Sequence, residues 1–405
     1  MLDVKSIRKD FPMFENTDVI YLDNAATTFK PQCVIDAIHH YYTHESVSVH
    51  RGDYELSYQL SMSYEETRKS IAKFLNCDEK EVVFTSGASG SLNLVAYGYG
   101  LDFLTSDDVI LTTEAEHASN ILPWFKVSEE TGAKIEYVPL ESDGLFTIEA
   151  FKKAIHEKVK VVTLANVSNV LGYSLPIKEI CAIAHEFGAV VICDGAQSVP
   201  HMKTDVKDSD VDFLAFSGHK MCGPTGVGVL YGKFEHLKKM KPLMLGGGSN
   251  ARFDICGNIL LKEPPYKFEA GTPAIEAVLG LNQAAKYLMS IGMDEIAAYE
   301  QNLHQYLIKK LKTCENVQIY NPNADCGIVA FNIKGVFAQD ASSYLSKHNI
   351  AVRAGNHCAK ILMDVLQTSH TLRASLYFYN TYEEIDHFIE VVKQISVEKC
   401  IDLVL

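Results

Sequence analysis

Short apolar runs rich in β-branched residues alternate along this chain with longer stretches in which apolar residues recur every three or four positions. The short runs predict buried parallel strands, and the longer stretches predict helices that cover the sheet. The clearest strand candidates are residues 81–85, 108–112, 158–164 and 189–193. Between the last two, residues 176–187 have apolar side chains at the spacing of one helix face. This arrangement predicts a right-handed strand–helix–strand unit.

The pattern changes after Ala270-Gly-Thr-Pro273, where two long helical patterns follow one another. They cover residues 275–291 and 295–311 and are followed by a strand at 326–333 and helices at 339–348 and 382–395. The sequence therefore predicts an α/β protein with a large domain at 21–285 and a smaller α+β domain at 286–405. Residues 1–20 hold too few apolar positions for a core of their own, so we expect them to pack on the main body.

Composition and charge narrow the class of protein. The 405 residues include 37 Lys and Arg against 51 Asp and Glu, a net charge of -14. No dense basic stretch is present, which argues against binding to nucleic acid or to an anionic membrane and favours a small-molecule substrate. No apolar run reaches the roughly 18 residues of a membrane-spanning helix, and the first residues lack the apolar block of a signal peptide. We therefore expect a cytoplasmic protein.

Cysteine usage agrees with a reducing compartment. Ten cysteines are scattered singly along the chain, without a disulfide framework and without a Cys-x-x-Cys pair. We expect no metal site, and we expect most of these thiols to be small buried apolar groups.

Two candidate ligand contacts follow predicted strands. Asp194 comes directly after the strand at 189–193, where its carboxylate could pair with a protonated ring nitrogen or simply cap the next helix. The segment Thr85-Ser-Gly-Ala-Ser-Gly-Ser91 precedes a helical pattern. Its small and hydroxyl-bearing residues at a helix N-terminus suit a phosphate group, although an ordinary Ser/Gly turn would look the same.

The most specific element surrounds Lys220. An apolar strand from Asp212 runs into Ser217-Gly-His-Lys220, a Gly/Pro-rich turn follows, and a second strand leaves at 227–231. A lysine at the tip of a buried turn loses part of its affinity for a proton and can then form a Schiff base with an aldehyde. Most lysines in turns are solvated, but the two flanking apolar strands favour the buried arrangement here.

These residues carry a family resemblance that covers nearly the whole chain. It runs from Tyr21-Leu-Asp-Asn-Ala-Ala-Thr-Thr28 to Arg373-Ala-Ser375. Between them lie Val49-His-Arg-Gly52, Glu116-His-Ala-Ser-Asn-Ile-Leu-Pro-Trp124, Val167-Ser-Asn-Val-Leu-Gly172, Asp194-Gly-Ala-Gln197, Ser217-Gly-His-Lys220, Phe268-Glu-Ala-Gly-Thr-Pro273 and Arg353-Ala-Gly-Asn-His-Cys-Ala359. The chain resembles the cysteine desulfurases of the class V aminotransferase superfamily, in particular their SufS-like branch, which also includes selenocysteine lyases.

The resemblance implies a fold type I pyridoxal 5'-phosphate (PLP) enzyme with a mostly parallel, seven-stranded sheet covered by helices, and it assigns roles to individual residues. Lys220 would hold the cofactor, Asp194 its pyridinium nitrogen and Gln197 its phenolic oxygen, while His117 would stack on the ring and assist proton transfer. The phosphate contacts implied are Ser89, Ser217 and His219, with Thr272 from a second subunit. The substrate contacts implied are Asn169, Arg373, Arg353, Asn24 and His50.

Cys358 separates this branch from aminotransferases. It lies in a short polar loop beside basic or potentially basic residues, which favours the thiolate. The implied reaction converts L-cysteine to L-alanine and places the sulfur on Cys358 as a persulfide, for delivery to an acceptor protein of the SufE or SufU type. A homodimer is also implied, in which Thr272 and the segment His50-Arg51 contribute to the site of the partner subunit. A selenocysteine lyase, a cysteine-sulfinate desulfinase or an aminotransferase would use the same cofactor site, and a non-enzymatic scaffold would need none of it.

Overall fold

The computed structural model describes residues 2–401. Helices and strands alternate through the first half of the chain, as the hydrophobic pattern predicts. The helices are α1 (Val4–Arg8), α2 (Met13–Asn16), α3 (Gln32–His44), α4 (Glu55–Leu75), α5 (Ala88–Val95), α6 (Leu101–Phe103), α7 (Ala118–Thr131), α8 (Ile148–Ala154), α9 (Ile177–Glu186), α10 (Val206–Ser209), α11 (Phe234–Lys239), α12 (Ile275–Ile291), α13 (Met293–Leu311), α14 (Ala338–Lys347), α15 (Lys360–Val365), α16 (Tyr382–Val392) and α17 (Val397–Ile401).

Within residues 2–401, fifteen strands form two main sheets and two small ones. They are β1 (Ile20–Tyr21), β2 (Val82–Thr85), β3 (Val109–Thr113), β4 (Lys134–Val138), β5 (Val159–Ala165), β6 (Val190–Asp194), β7 (Phe213–Ser217), β8 (Gly228–Gly232), β9 (Asn250–Phe253), β10 (Ile259–Leu261), β11 (Val317–Ile319), β12 (Ile328–Ile333), β13 (Ile350–Ala351), β14 (Arg353–Gly355) and β15 (Thr371–Ser375). Single-turn 3-10 helices occur at Glu79–Glu81, Gly218–Lys220 and Tyr266–Phe268.

The largest sheet has seven strands in the order β2-β8-β7-β6-β5-β3-β4. All its neighbouring strands are parallel except β8, which runs antiparallel to both β2 and β7. Every residue of β3, β6, β7 and β8 is buried, because helices cover both faces of the sheet. The predicted seven-stranded, mostly parallel sheet is confirmed.

The predicted element bounds differ from the observed ones mainly at their ends. The helix predicted at 275–291 is α12 without change, while the closing helix ends at Val392 instead of residue 395. The strand predicted from residue 81 begins at Val82, since the Asp78 carboxylate caps the turn Glu79–Glu81 and holds Glu81 in it.

A second, four-stranded antiparallel sheet in the order β11-β12-β15-β14 occupies the C-terminal part of the chain. The N-terminal segment packs on this side: the Phe11 ring lies 5.0 Å from that of Tyr379, and Arg8 pairs with Glu384 at 2.7 Å. β1 pairs with β13 in parallel. The predicted domain boundary at 285/286 falls within α12 and stays a prediction.

Within residues 2–401, no helix combines the length and the apolar character needed to cross a bilayer.

Candidate active site

The carboxyl ends of β5, β6 and β7 open into a cavity of about 240 Å³. Ala165, Asp194 and Ser217, the last residues of these three strands, line it. Parallel strands end at one edge of a sheet, so side chains that follow them in sequence meet there. The predicted site residues that line this cavity are Lys220, Cys358, His117, Asp194, Gln197, Ser89, Ser217, His219, Asn169, Arg373 and Arg353.

Lys220 ends the 3-10 turn Gly218–Lys220 that follows β7. A Cβ on Gly218 would lie 2.9 Å from the side chain of Val227, the residue before β8. Glycine therefore fits in this tight turn, and a larger residue would displace the chain that leads into β8. Burial of the Lys220 ammonium lowers its pKa to about 8, although the Asp194 carboxylate opposes this effect. A substantial fraction of the amine is therefore neutral, and nucleophilic, near physiological pH.

Asp194 and Gln197 present oxygen atoms to the cavity from the segment after β6. The Asp194 Oδ1 accepts a hydrogen bond from the Ala196 N–H at 2.9 Å. The Gln197 Nε2 donates to the Ala25 carbonyl at 2.8 Å, while its Oε1 is buried and has no partner among the described residues. A buried acceptor without a partner is costly, so this oxygen marks a place for a ligand group that donates.

His117 caps the N-terminus of α7. Its Nδ1 accepts a hydrogen bond from the Ser119 N–H at 3.1 Å, which leaves the proton of the neutral ring on Nε2. Burial lowers the pKa of His117, and the positive charges of Lys220 and Arg373 lower it further against the opposing effect of Asp194. The ring is therefore neutral at pH 7, with Nε2–H as the group it can offer.

The hydroxyl-rich segment after β2 forms a concave turn at the start of α5. Ser217 Oγ accepts a hydrogen bond from the Ala88 N–H at 2.8 Å, and Ser89 Oγ lies 2.7 Å from Ser119 Oγ. Gly87 has φ of 148°, and a Cβ on Gly228 would lie only 2.4 Å from the Gly87 Cα. Backbone and small hydroxyls therefore approach closely, as an anion site at a helix N-terminus requires.

His219 adjoins this turn as a neutral ring, since burial lowers its pKa to about 4 and the charges of Lys220 and Lys30 add to the effect.

Arg373 is far from Lys220 in the sequence, but it lines the same cavity. It is 3% exposed; its Nη1 donates to the Asn169 carbonyl at 3.0 Å and its Nη2 to Asp23 Oδ1 at 2.9 Å. Its Nε is buried without a partner among the described residues. Arg353 lies 3.8 Å from Asp23 Oδ2. The two guanidinium groups make this end of the cavity suitable for a carboxylate.

Cys358 is exposed at the cavity and belongs to the short loop between β14 and α15. Its N–H donates to Asn356 Oδ1 at 3.1 Å, and its carbonyl accepts from the Ala118 N–H at 2.7 Å. Asn169 Nδ2 donates to the carbonyl of His357 at 2.8 Å. The loop is thereby attached to the residue after His117 and to the segment after β5.

Two other cysteines need comparison with Cys358. Cys222, which lies close to Lys220 in sequence, is fully buried, does not line the cavity, and has its pKa raised to about 12 by burial. Cys256 is exposed, unlike most of the ten thiols, because it lies in the β9–β10 hairpin. It does not line the cavity either.

Asn24 is not at the cavity surface. The side chain is fully buried: its Nδ2 donates to the Ser375 carbonyl at 2.8 Å and to Asn380 Oδ1 at 3.1 Å, and its Oδ1 accepts from the Tyr379 hydroxyl. Its hydrogen-bonding groups are in use within the single chain, and its role as a substrate contact stays a prediction.

His50 and Thr272 are also absent from this cavity. They line a different one of about 420 Å³, in which the His50 Nε2 lies 3.2 Å from Glu65 Oε1. Within one chain, therefore, these two residues come together with each other but not with Lys220.

The sequence reasoning did not single out three residues of the cavity region. They are Asp23, Ser119 and His357, of which the last two line the cavity directly. All three lie inside or beside quoted motifs, and His357 immediately precedes Cys358. Their sequence positions could have suggested them, but their partners come from distant parts of the chain.

The site fits the PLP that the sequence implies. Lys220 offers an amine of lowered pKa for an aldehyde, Asp194 a carboxylate for a ring nitrogen, and Gln197 an oxygen without a partner among residues 2–401 for a ring hydroxyl. Ser89 and Ser217 lie at a helix N-terminus suited to phosphate. Among residues 2–401, no group of three or more His, Cys, Asp or Glu side chains is arranged to bind a metal.

Sequence relatives extend over nearly the whole chain. It is 40% identical over 411 residues to "Cysteine desulfurase" from Haloferax volcanii, covering 96% of each chain. It is 45% identical over 392 residues to a protein from Halalkalibacterium halodurans named "Probable cysteine desulfurase", covering 95% of this chain and 96% of the relative.

Solved structures of cysteine desulfurases are also similar to this chain over nearly its full length. A cysteine desulfurase from Thermococcus onnurineus NA1 superposes with a TM-score of 0.93 at 38% identity, covering 97% of this chain and 98% of that one. The cysteine desulfurase CsdA from Escherichia coli gives 0.91 at 34% identity, covering 100% and 99%. The family model "Aminotransferase class-V" matches residues 20–388. The chain thus belongs to the aminotransferase class-V family, within which it is similar along nearly its full length to cysteine desulfurases.

Proposed function

We propose that this chain is a PLP-dependent cysteine desulfurase, which converts L-cysteine to L-alanine and receives the sulfur on Cys358 as a persulfide. The observation that carries the proposal is that Lys220, Arg373 and an exposed thiol, Cys358, line the same cavity. An aminotransferase needs the first two but has no use for a thiol there, so Cys358 favours sulfur transfer.

The cofactor would be held by residues from four strand ends. Lys220 would hold its aldehyde carbon, Asp194 its ring nitrogen, and Ser89, Ser217 and His219 its phosphate. His117 and Gln197 would contact the ring. When bound, PLP supplies an electron sink beside the substrate Cα.

Arg373 binds the substrate carboxylate in this proposal. Two of its nitrogens are fixed by Asn169 and Asp23, which leaves the buried Nε–H as a donor whose direction is already set. Arg353 adds a second positive charge at the same cavity. Asn169, whose Nδ2 already donates to His357, has one further N–H for the carboxylate.

Lys220 moves the proton at the substrate Cα. Because burial lowers its pKa to about 8, its amine accepts a proton from carbon and returns it within the same site. His117, which keeps its proton on Nε2 and lines the same cavity, would donate that proton in a hydrogen bond to a developing negative charge.

Cys358 takes the sulfur. Its thiolate Sγ attacks the substrate sulfur, a sulfur–sulfur bond forms, and the substrate Cβ–S bond breaks with its electron pair left on the carbon fragment. That fragment takes up a proton and leaves as alanine. The sum is one thiol and one cysteine giving one persulfide and one alanine, so no external oxidant is required.

Delivery of the persulfide needs an acceptor. The exposure of Cys358 supports transfer to the thiol of a protein of the SufE or SufU type, and from there to iron–sulfur cluster assembly or another sulfur pathway. All ten cysteines are free, which supports a reducing, cytoplasmic location.

We infer a homodimer. His50 and Thr272, which the sequence resemblance assigns to a partner's site, lie together outside the cavity of their own chain. The nearby β9–β10 hairpin exposes apolar side chains that a monomer rarely leaves in water, including Ile255 at 100% and Phe253 at 69%. A partner subunit would cover them.

Purified protein incubated with L-cysteine tests the function. Alanine should form in step with a persulfide, and alkylation followed by peptide mass analysis should place the persulfide on Cys358. Absence of alanine, or a persulfide on another cysteine alone, contradicts the proposal.

A further inference from the structure

His357 is buried although the next residue, Cys358, is exposed. The imidazole is 5% exposed, and its Nε2 lies 2.9 Å from the Thr371 hydroxyl and 3.1 Å from the Thr371 carbonyl oxygen. A carbonyl oxygen can only accept, so Nε2 carries the proton and donates to this residue of β15. The side chain thus attaches the nucleophile loop to the same strand that carries Arg373.

The loop backbone needs such an attachment. His357 has φ of 53° and Cys358 has φ of 58°, two consecutive non-glycine residues in the left-handed region. Each costs roughly 1–2 kcal/mol relative to ordinary backbone. A conformation of this kind persists only where surrounding contacts hold it.

Backbone contacts hold the loop on its other side. The Cys358 carbonyl accepts from the Ala118 N–H at 2.7 Å, and the His357 carbonyl accepts from Asn169 Nδ2 at 2.8 Å. Both partners follow strands of the large sheet, Ala118 at the start of α7 after β3 and Asn169 in the segment after β5, whereas Thr371 belongs to the C-terminal sheet. The loop continues directly from β14 at the edge of the second sheet, and the His357 side chain adds a contact from the loop to the neighbouring strand β15.

We propose that His357 is a positioning residue, which holds residues 356–359 between the two sheets and so sets Cys358 Sγ at the cavity. The proposal rests on the role of Cys358 as sulfur acceptor. Attack on the substrate sulfur requires alignment of two sulfur atoms and the Cβ–S bond, and a displacement of about 1 Å can cost on the order of 100-fold in rate.

The imidazole acts as a fixed anchor and takes no part in proton transfer. Burial lowers its pKa to about 3, and the charges of Arg373 and Arg353 lower it further, against the effect of the hydrogen bond that Nε2 donates to the Thr371 carbonyl. The ring is therefore neutral throughout the working pH range.

Exchange of the Ala118 amide reports loop position without any turnover. In the holoenzyme with His357→Leu, we expect this amide to exchange faster with deuterium, because its acceptor is the Cys358 carbonyl. His357→Gln, which keeps a donor, should restore the wild-type exchange. Thr371→Val removes the hydroxyl that contacts His357 Nε2. It should also make the Ala118 amide exchange faster, by a smaller factor than His357→Leu.

Two substrates separate positioning from general damage. With cysteine, kcat of His357→Leu should fall by about 10- to 100-fold while KM changes little. With selenocysteine, the weaker Cβ–Se bond can break without an attacking thiol, with its electron pair left on the carbon fragment that becomes alanine and selenium released as the element, so kcat should be unchanged. Equal losses with both substrates, or an unaltered cysteine kcat, would overturn the positioning role. Failure of the underlying sulfur-transfer function appears separately, as full cysteine turnover by Cys358→Ala.

Discussion

Arg373 and Asp23 form an ion pair at 2.9 Å although 350 residues separate them in the chain. The arginine is 3% exposed and the aspartate 19%. Burial lowers the pKa of Arg373, and the Asp23 carboxylate counteracts that effect. Asp23 therefore both stabilises a buried cation and fixes the direction of the Nε–H that the substrate would use.

Asp23→Asn should destabilise the protein and weaken substrate binding together. Removing one partner of a buried pair costs about 3–5 kcal/mol, and the partial exposure of Asp23 reduces the expected loss to about 2 kcal/mol. Urea unfolding and the KM for cysteine measure the two effects. Asp208→Asn, which breaks an exposed pair with Lys178, is the matched control and should change neither. A normal KM for Asp23→Asn would contradict the proposed role of Arg373.

Lys220 should be the residue that holds the cofactor. Borohydride reduction of the holoenzyme should attach the cofactor to the peptide containing Lys220, and Lys220→Ala should abolish attachment and turnover. Lys30 is a stringent control, because burial also lowers its pKa to about 8 while its Nζ donates to Thr27 Oγ1 at 3.1 Å and to the His219 carbonyl at 3.2 Å. Attachment at Lys30 would refute the assignment.

Cofactor uptake should depend on pH through Lys220. Only the neutral amine attacks an aldehyde, and the neutral fraction rises as pH increases through the pKa of about 8. The rate of PLP binding to apoprotein should therefore climb between roughly pH 7 and 9 and then level off. Stopped-flow absorbance follows the reaction. A midpoint above pH 10, as for an ordinary lysine, would show that the amine is not desolvated.

Cys358→Ala should retain the cofactor and bind cysteine, since Lys220, Asp194 and Arg373 are unchanged, but should form neither persulfide nor alanine at the wild-type rate. Cys256→Ala removes the other exposed thiol and serves as its control. Absorbance of the cofactor on adding cysteine, together with persulfide-specific alkylation, distinguishes binding from transfer. Undiminished alanine release from Cys358→Ala would exclude the thiol as sulfur acceptor.

The proposed dimer should depend on the β9–β10 hairpin. Ile255→Glu and Phe253→Glu place charges on apolar positions that are exposed in the single chain, so they should weaken association if a partner buries them. Multi-angle light scattering measures the mass. Leu122→Glu, at 56% exposure on α7, tests whether any exposed apolar residue has the same effect. A fully active wild-type monomer would argue against a shared site.

The sequence by itself determined the order of strands and helices, because an apolar run or a helical period is a local property of the chain. It also determined which polar residues follow strand ends. The motifs around Lys220 and Cys358 carried the resemblance to cysteine desulfurases. Local patterns could not reveal that Asp23 meets Arg373, since that contact depends on how distant segments pack.

The tertiary structure decided which predicted residues share a cavity. Asn24 belongs to a buried hydrogen-bond network, and His50 and Thr272 line a second cavity that Lys220 does not reach. The tertiary structure also brought the ring of His357, the residue before the exposed Cys358, to Thr371, a contact that sequence spacing cannot specify. Motifs name the groups that can react, but the distances between them arise only when two sheets are brought together by packing.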